Sequence, residues 1–271
     1  MPELPSIKPD DLARRIGLAD APLLVDVRLA EDAAADPRSL PAARRQDHRQ
    51  ITAWAPAQRG REVVVICQRG LKLSEGAAAW LRHEGAEARV LEGGFEAWRA
   101  AGLPLFRDAP LPPPDAAGRT LWVTRARPKV DRIACPWLIR RFIDREAVFL
   151  FVAASEVAAV AAHYGATPFD IDGVFWSHRG ETCTFDTMLA EFGLASPALQ
   201  RLALLVRGAD TARPDLAPEA AGLLAASLGL SRLHGDDLAQ LDAGLSLYDA
   251  FYLWCRDATG ETHNWPAQGL T

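Results

Sequence analysis

The sequence predicts an α/β domain, a parallel sheet flanked by helices, followed by an α+β domain that is largely helical. Three observations predict this. Through residues 1–108 short apolar runs alternate with helical stretches, the order that builds parallel sheets. Beyond Thr184 helical patterning dominates. Between the two regimes, residues 103–119 read LPLFRDAPLPPPDAAGR, and prolines at 110, 112, 113 and 114 enforce an extended, hydrogen-bond-poor connector over 109–118. The expected domains are therefore 1–108 and 119–271. The connector is expected to hold them apart, so that each folds alone.

In the first domain a helix is expected over residues 9–16, and Leu23-Leu24-Val25-Asp26-Val27 as a buried strand. A second run, Glu62-Val63-Val64-Val65-Ile66, stops at Cys67, and Ser74 is the expected N-cap of an Ala-rich helix beyond it. A third strand is expected over 88–91 and a helix over 95–101, ended by Gly102. The second domain opens with a strand over 121–124. A helix starting near Cys135-Pro136 follows, then a strand over 148–152 and a helix capped by Ser155. Further helices are expected over 184–192, 197–207, 218–228 and 236–255; in the last, Tyr248, Tyr252 and Trp254 read as core.

Composition narrows the function classes. The chain has 271 residues, 49% hydrophobic and 24% charged, with net charge -5, the profile of a globular protein with two cores. The longest near-continuous apolar run, 147–154, falls far short of the roughly 20 residues a membrane span needs, and no secretory signal is evident. Cys67, Cys135, Cys183 and Cys255 are widely spaced without a CxxC, as in reduced thiols, so a cytoplasmic location is expected. Residues 119–145 hold eight basic groups against two acidic, while 146–271 hold six against 16. That dipolar split argues against a nucleic-acid surface.

Three groups of residues carry chemistry. Cys67 ends a strand and precedes a loop and a helix, where open α/β sheets place their sites. Such a position favours a reactive thiol and the binding of an anion by Gln68, Arg69, Gly70, Leu71, Lys72, Leu73 and Ser74. Arg125, Lys129, Arg132 and Arg140 are candidates to ring an oxyanion. Asp131, His178, Glu181, Cys183 and Asp186 are candidates for a transition-metal or zinc site, with His163 and His263 able to complete it. No role is assigned to His48, His83 or His234, and no cofactor is certain.

Leu24-Val25-Asp26-Val27-Arg28, Leu40-Pro41-Ala42-Ala43 and Leu91-Glu92-Gly93-Gly94-Phe95-Glu96-Ala97-Trp98 resemble the signatures of rhodanese-like sulfurtransferase domains. The resemblance implies that Cys67 carries a persulfide. The loop is one residue longer than the family's and has Lys72 or Leu73 where the family has Arg, which implies weak turnover. Residues 122–144, 166–170, 207–211 and 261–266 resemble the C-terminal domain of ChrB-type chromate-resistance proteins. Together the halves look like the fused sulfurtransferase/chromate-resistance type. That implies a stress-response enzyme exchanging sulfur with small donors and acceptors, its second domain binding an oxyanion or metal. The competing expectation is a non-catalytic oxyanion sensor or adaptor. Oligomeric state is not legible in the sequence.

Overall fold

The structure, a computed structural model, describes residues 5–107 and 111–262; the expected boundary at 108–109, Pro110 and His263 lie outside them. The first domain runs β1 (Ser6–Ile7), α1 (Pro9–Arg15), β2 (Leu23–Asp26), α2 (Ala30–Ala35), β3 (Arg38–Ser39), β4 (Ala43–Arg45), α3 (Ile51–Trp54), β5 (Glu62–Ile66), α4 (Lys72–His83), β6 (Glu87–Leu91), α5 (Gly94–Ala100) and β7 (Phe106–Arg107). Five strands form a parallel sheet in the order β1-β6-β5-β2-β4, and β3 pairs antiparallel with β7 in a separate ribbon. The apolar run of β5 is needed because the sheet is covered on both faces. Val63 and Val65 pack with Ala77, Ala78 and Leu81 of α4, while Val64 and Ile66 pack on the other side with Leu12, Phe95 and Trp98.

The β2 turn is pinned by a buried ion pair. Asp26 accepts from the Arg28 backbone N–H at 2.9 Å and from its Nε at 2.8 Å. The guanidinium lies 3.9 Å from the centre of the Phe95 ring and donates to the carbonyls of Asp36 and Arg38. One arginine thus ties the end of β2 to α5 and to the segment leading into β3.

The second domain runs β8 (Leu121–Arg125), α6 (Asp131–Phe142), β9 (Val148–Val152), α7 (Val157–Tyr164), β10 (Thr167–Pro168), α8 (Thr184–Phe192), α9 (Pro197–Asp210), α10 (Ala220–Leu233) and α11 (Asp237–Leu253), which passes into a π turn, Trp254–Ala258. Its three strands are parallel, in the order β10-β8-β9. Tyr248 and Tyr252 of α11 are core, whereas Trp254 is half-buried against it.

Three start signals are corrected. Helix α6 begins at Asp131 rather than near Cys135-Pro136, because Val130 turns the chain at φ 38° and Pro136 is accommodated inside the helix. Ser74 is not an N-cap: α4 starts at Lys72, and the Ser74 hydroxyl turns back to the Leu71 carbonyl at 3.0 Å. Ser155 sits in a 3-10 turn, Ala154–Glu156, and caps nothing.

The domains are not held apart. A single apolar cluster runs from Leu12, Ile66, Phe95 and Trp98 into Trp137, Phe142 and Tyr252. Gly17, at φ +85°, lies so close to the Phe142 ring that a Cβ would stand 2.5 Å from it. The Ala42 N–H donates to the Phe142 carbonyl at 2.7 Å, and Arg145 donates to the carbonyls of Ala19, Ala21 and Pro22. Contrary to the expectation that the connector holds them apart, the halves share this contact, and separating them would expose apolar surface each buries against the other.

Candidate functional sites: a strand-end cysteine and a carboxylate–imidazole cluster

Strand β5 is central and delivers Cys67 at its carboxyl end, with the loop Gln68–Leu71 turning into the N-terminus of α4. Two glycines make this turn. Gly70 has φ +69°, and an added Cβ would meet the Leu91 carbonyl at 2.5 Å and the Gly93 nitrogen at 2.8 Å. Gly94, at φ +60°, meets the Cys67 carbonyl and the Gly70 nitrogen as closely, so the two backbones pack without side chains between them. The Phe95 N–H donates to the Cys67 carbonyl and the Glu96 N–H to that of Gln68, both at 3.0 Å.

The Cys67 sulfur lies 3.1 Å from the Ser74 Oγ, inside the first turn of α4, where the leading amides lack intrahelical acceptors. Although Cys67 is 4% exposed, it lines an open cleft with Asp32, Gln68, Arg69, Leu71, Lys72, Leu73 and Glu96. Arg69 pairs with Glu96 at 3.5 Å, and Gln68 donates to the same carboxylate. Burial favours the neutral form of the other three thiols, pushing Cys135 and Cys183 well up and Cys255 to about 11.

In the second domain the predicted residues divide. Asp131 and His178 meet, but in the company of Asp170 and Asp210, and one ligand atom from each of the four lies within 4.8 Å of every other. The His178 Nε2 is 3.1 Å from Asp210, 3.5 Å from Asp131 and 3.5 Å from Asp170. Asp131 is fully buried at the start of α6 and accepts from the backbone N–H of Thr184 at 2.6 Å, so it caps α8 rather than its own helix. Asp170, at φ 53°, accepts from the Thr184 hydroxyl at 2.9 Å and pairs with Arg125 and Arg132. Asp210 comes from the end of α9.

Crowding shapes the charges. Burial, then the charges of Asp131 and Asp170, lift Asp210 to about 7, and burial also raises Asp131. Hydrogen bonds to Asp131 and Asp170 lift His178 to about 10.

Four of the metal candidates among the described residues do not join the cluster. Glu181 is exposed in the preceding turn. Cys183 is the buried N-cap of α8, and Asp186 closes its capping box while holding Arg207 at 2.6 and 2.9 Å. His163 projects from α7 against Tyr164. The oxyanion candidates disperse as well. Arg125 and Arg132 converge on Asp170, Lys129 faces a separate groove with Arg127 and Arg232, and Arg140 lies over Phe149 and pairs with Asp242. Asp170 and Asp210 were missed although both fall in stretches that carry the family resemblance. The chain offers no spacing rule that joins residues 131, 170, 178 and 210.

The parallel sheet, the Asp26–Arg28 pair and the cysteine between central strand and helix define a rhodanese-like domain. Residues 8–101 match the rhodanese-like domain family, and residues 122–255 match the C-terminal domain of ChrB. The chain thus joins a rhodanese-like domain to a ChrB C-terminal domain. Protein ChrB of Cupriavidus metallidurans is 39% identical over 133 residues, 48% of this chain and 39% of that protein, so this chain spans about two fifths of that relative's length. Among solved structures, a rhodanese-related protein from Thermoplasma volcanium is similar at 24% identity, covering 37% of this chain and 96% of that one, with TM-score 0.33. A thiosulfate sulfurtransferase from Pseudomonas aeruginosa is similar at 28% identity, covering 39% and 20%, with TM-score 0.33. A rhodanese-like domain protein from Staphylococcus aureus stands at 28%, 35% and 91%, with TM-score 0.31. Among the described residues no helix is long and apolar enough to cross a membrane.

Proposed function

We propose that this protein is a sulfurtransferase acting in chromate resistance, with Cys67 as the persulfide-carrying thiol and the second domain binding a metal or oxyanion. The observation that carries the reading is the Cys67 sulfur at the first turn of α4, lining an open cleft, while the other three thiols are pushed toward the neutral form by burial. The Cys67 thiolate attacks the outer sulfur of thiosulfate. The new S–S bond forms as the bond to the sulfonate sulfur breaks, and sulfite leaves with the electron pair. A nucleophilic acceptor such as cyanide then takes the outer sulfur as thiocyanate and returns the thiolate.

The cleft has two consequences for rate. Lys72 lies at the mouth and can attract an anionic donor, but Arg69, the arginine that lines the cleft among the described residues, is drawn to Glu96 rather than left to clamp the sulfonate bidentately. Full-length protein given thiosulfate and then cyanide is therefore expected to form thiocyanate repeatedly, at a low rate. Absence of any thiocyanate above the protein-free rate would leave the non-catalytic sensor as the better reading. The link to chromate rests on the likeness of residues 122–255 to ChrB. A chromate-sensitive host should be protected by the whole chain, and no protection would remove that link.

A further inference from the structure

We propose that Asp131, Asp170, His178 and Asp210 form a mononuclear centre for an oxygen-preferring divalent transition metal, Mn2+ or Fe2+, whose open coordination positions face solvent beside His178. The proposal deepens, and rests on, the reading of the second domain as metal- or oxyanion-binding.

The geometry comes first. Ligand atoms about 2.1 Å from one ion stand about 3.0 Å apart when adjacent and about 4.2 Å apart when opposite. The four donor atoms here lie within 4.8 Å of one another. They arrive from four places in the fold: the start of α6, the chain after β10, the loop before α8, and the end of α9. An imidazole closes the set, so it is not merely an acidic patch.

The surroundings are those of a supported centre. Ligating carboxylates are oriented by outer hydrogen bonds. Asp131 accepts from the Thr184 amide and Asp170 from the Thr184 hydroxyl, while Asp170 also forms ion pairs with Arg125 and Arg132. A single threonine thus fixes two carboxylates. Thr124 shares the face of β8 that carries Trp122, whose ring packs against Phe169 and Trp176, the residues either side of the Asp170 turn. Thr124 is fully buried with an unpartnered hydroxyl, on the strand whose Val123 carbonyl accepts from the Phe169 N–H next to Asp170. A metal-bound water or ligand that reaches this face would give that hydroxyl a partner.

The donor set selects the metal class. Three carboxylates and one imidazole suit Mn2+ or Fe2+, whereas thiolate ligands would be needed to favour Cu(I) or a structural zinc site. Cys183, next to Thr184, turns its sulfur to Asp186 instead.

The test is Mn2+ binding by the full chain after chelator treatment, followed by loss of the free-ion signal in electron paramagnetic resonance. Stoichiometric binding is expected. His178→Ala and Asp210→Asn should each weaken it by more than the roughly 10–100-fold attributable to outer partners, while Glu181→Gln and Asp186→Asn retain it. His178 is half-exposed and Asp210 lies at a helix end, so these variants do not depend on replacing the buried Asp131. Unchanged binding in both variants would overturn the residue assignment and leave a metal site elsewhere in the domain. No binding at all would overturn the metal reading itself. Sulfur transfer by the same preparations reports on Cys67 separately.

Discussion

Cys67→Ser is expected to abolish sulfur transfer, lowering thiosulfate-dependent thiocyanate formation by at least about 10³-fold. The hydroxyl is near-isosteric but cannot carry sulfane sulfur, so the fold should persist, checked by near-ultraviolet circular dichroism. Ser74→Ala removes only the group 3.1 Å from the sulfur and a bond to the Leu71 carbonyl. Its cost should stay within about tenfold, the scale of one hydrogen bond. Equal losses in both variants would mean that the first turn of α4, rather than the thiol, limits the reaction. Undiminished transfer by Cys67→Ser would exclude Cys67 from the chemistry.

Arg28→Ala is expected to destabilise the whole chain by about 3–5 kcal/mol, the usual cost of leaving one member of a buried ion pair unpartnered. The side chains of Arg28 and Asp26 are 1% and 3% exposed, so solvent cannot take over the charge on Asp26. Replacing both, as Asp26→Asn with Arg28→Met, should cost less, because no lone buried charge remains. Urea unfolding of the three proteins measures this. Because Phe95, beneath the guanidinium, belongs to the cluster shared by both domains, loss of the pair should lower one transition rather than split it in two. A loss below about 1 kcal/mol in Arg28→Ala would show that the pair contributes little.

Much of the first domain was legible because its signals are local. The run 62–66 is a strand as expected, Cys67 ends it, and the Gly93-Gly94 turn follows β6. Short elements such as α2, α3, β3 and β4 were not read, since a few residues of ordinary propensity carry little periodic signal. In the second domain β9 and α8 match their predicted bounds. The start of α6 was misplaced because Pro136 reads as a first-turn residue, whereas the strained Val130 turn that sets the boundary has no sequence mark.

The cluster was only half legible for a different reason. Asp131 and His178 stood out beside cations and a thiol, but local density also drew in Glu181, Cys183 and Asp186, which serve a turn, a cap and an ion pair with Arg207. Asp170 and Asp210 join only through tertiary packing of α6, α8 and α9. The proline connector misled in the same way. Extended backbone at 112–114 says nothing about whether the faces of two domains meet, and here Gly17, Ala42 and Arg145 bring them together.

The most direct measurement is mass spectrometry of the full-length protein after brief treatment with thiosulfate and removal of excess donor. A gain of one sulfur atom, mapped to the peptide containing Cys67 and discharged by cyanide, is the expected result. A gain that maps to Cys135, Cys183 or Cys255, or no gain at all while thiocyanate is still formed, would contradict Cys67 as the sulfur carrier.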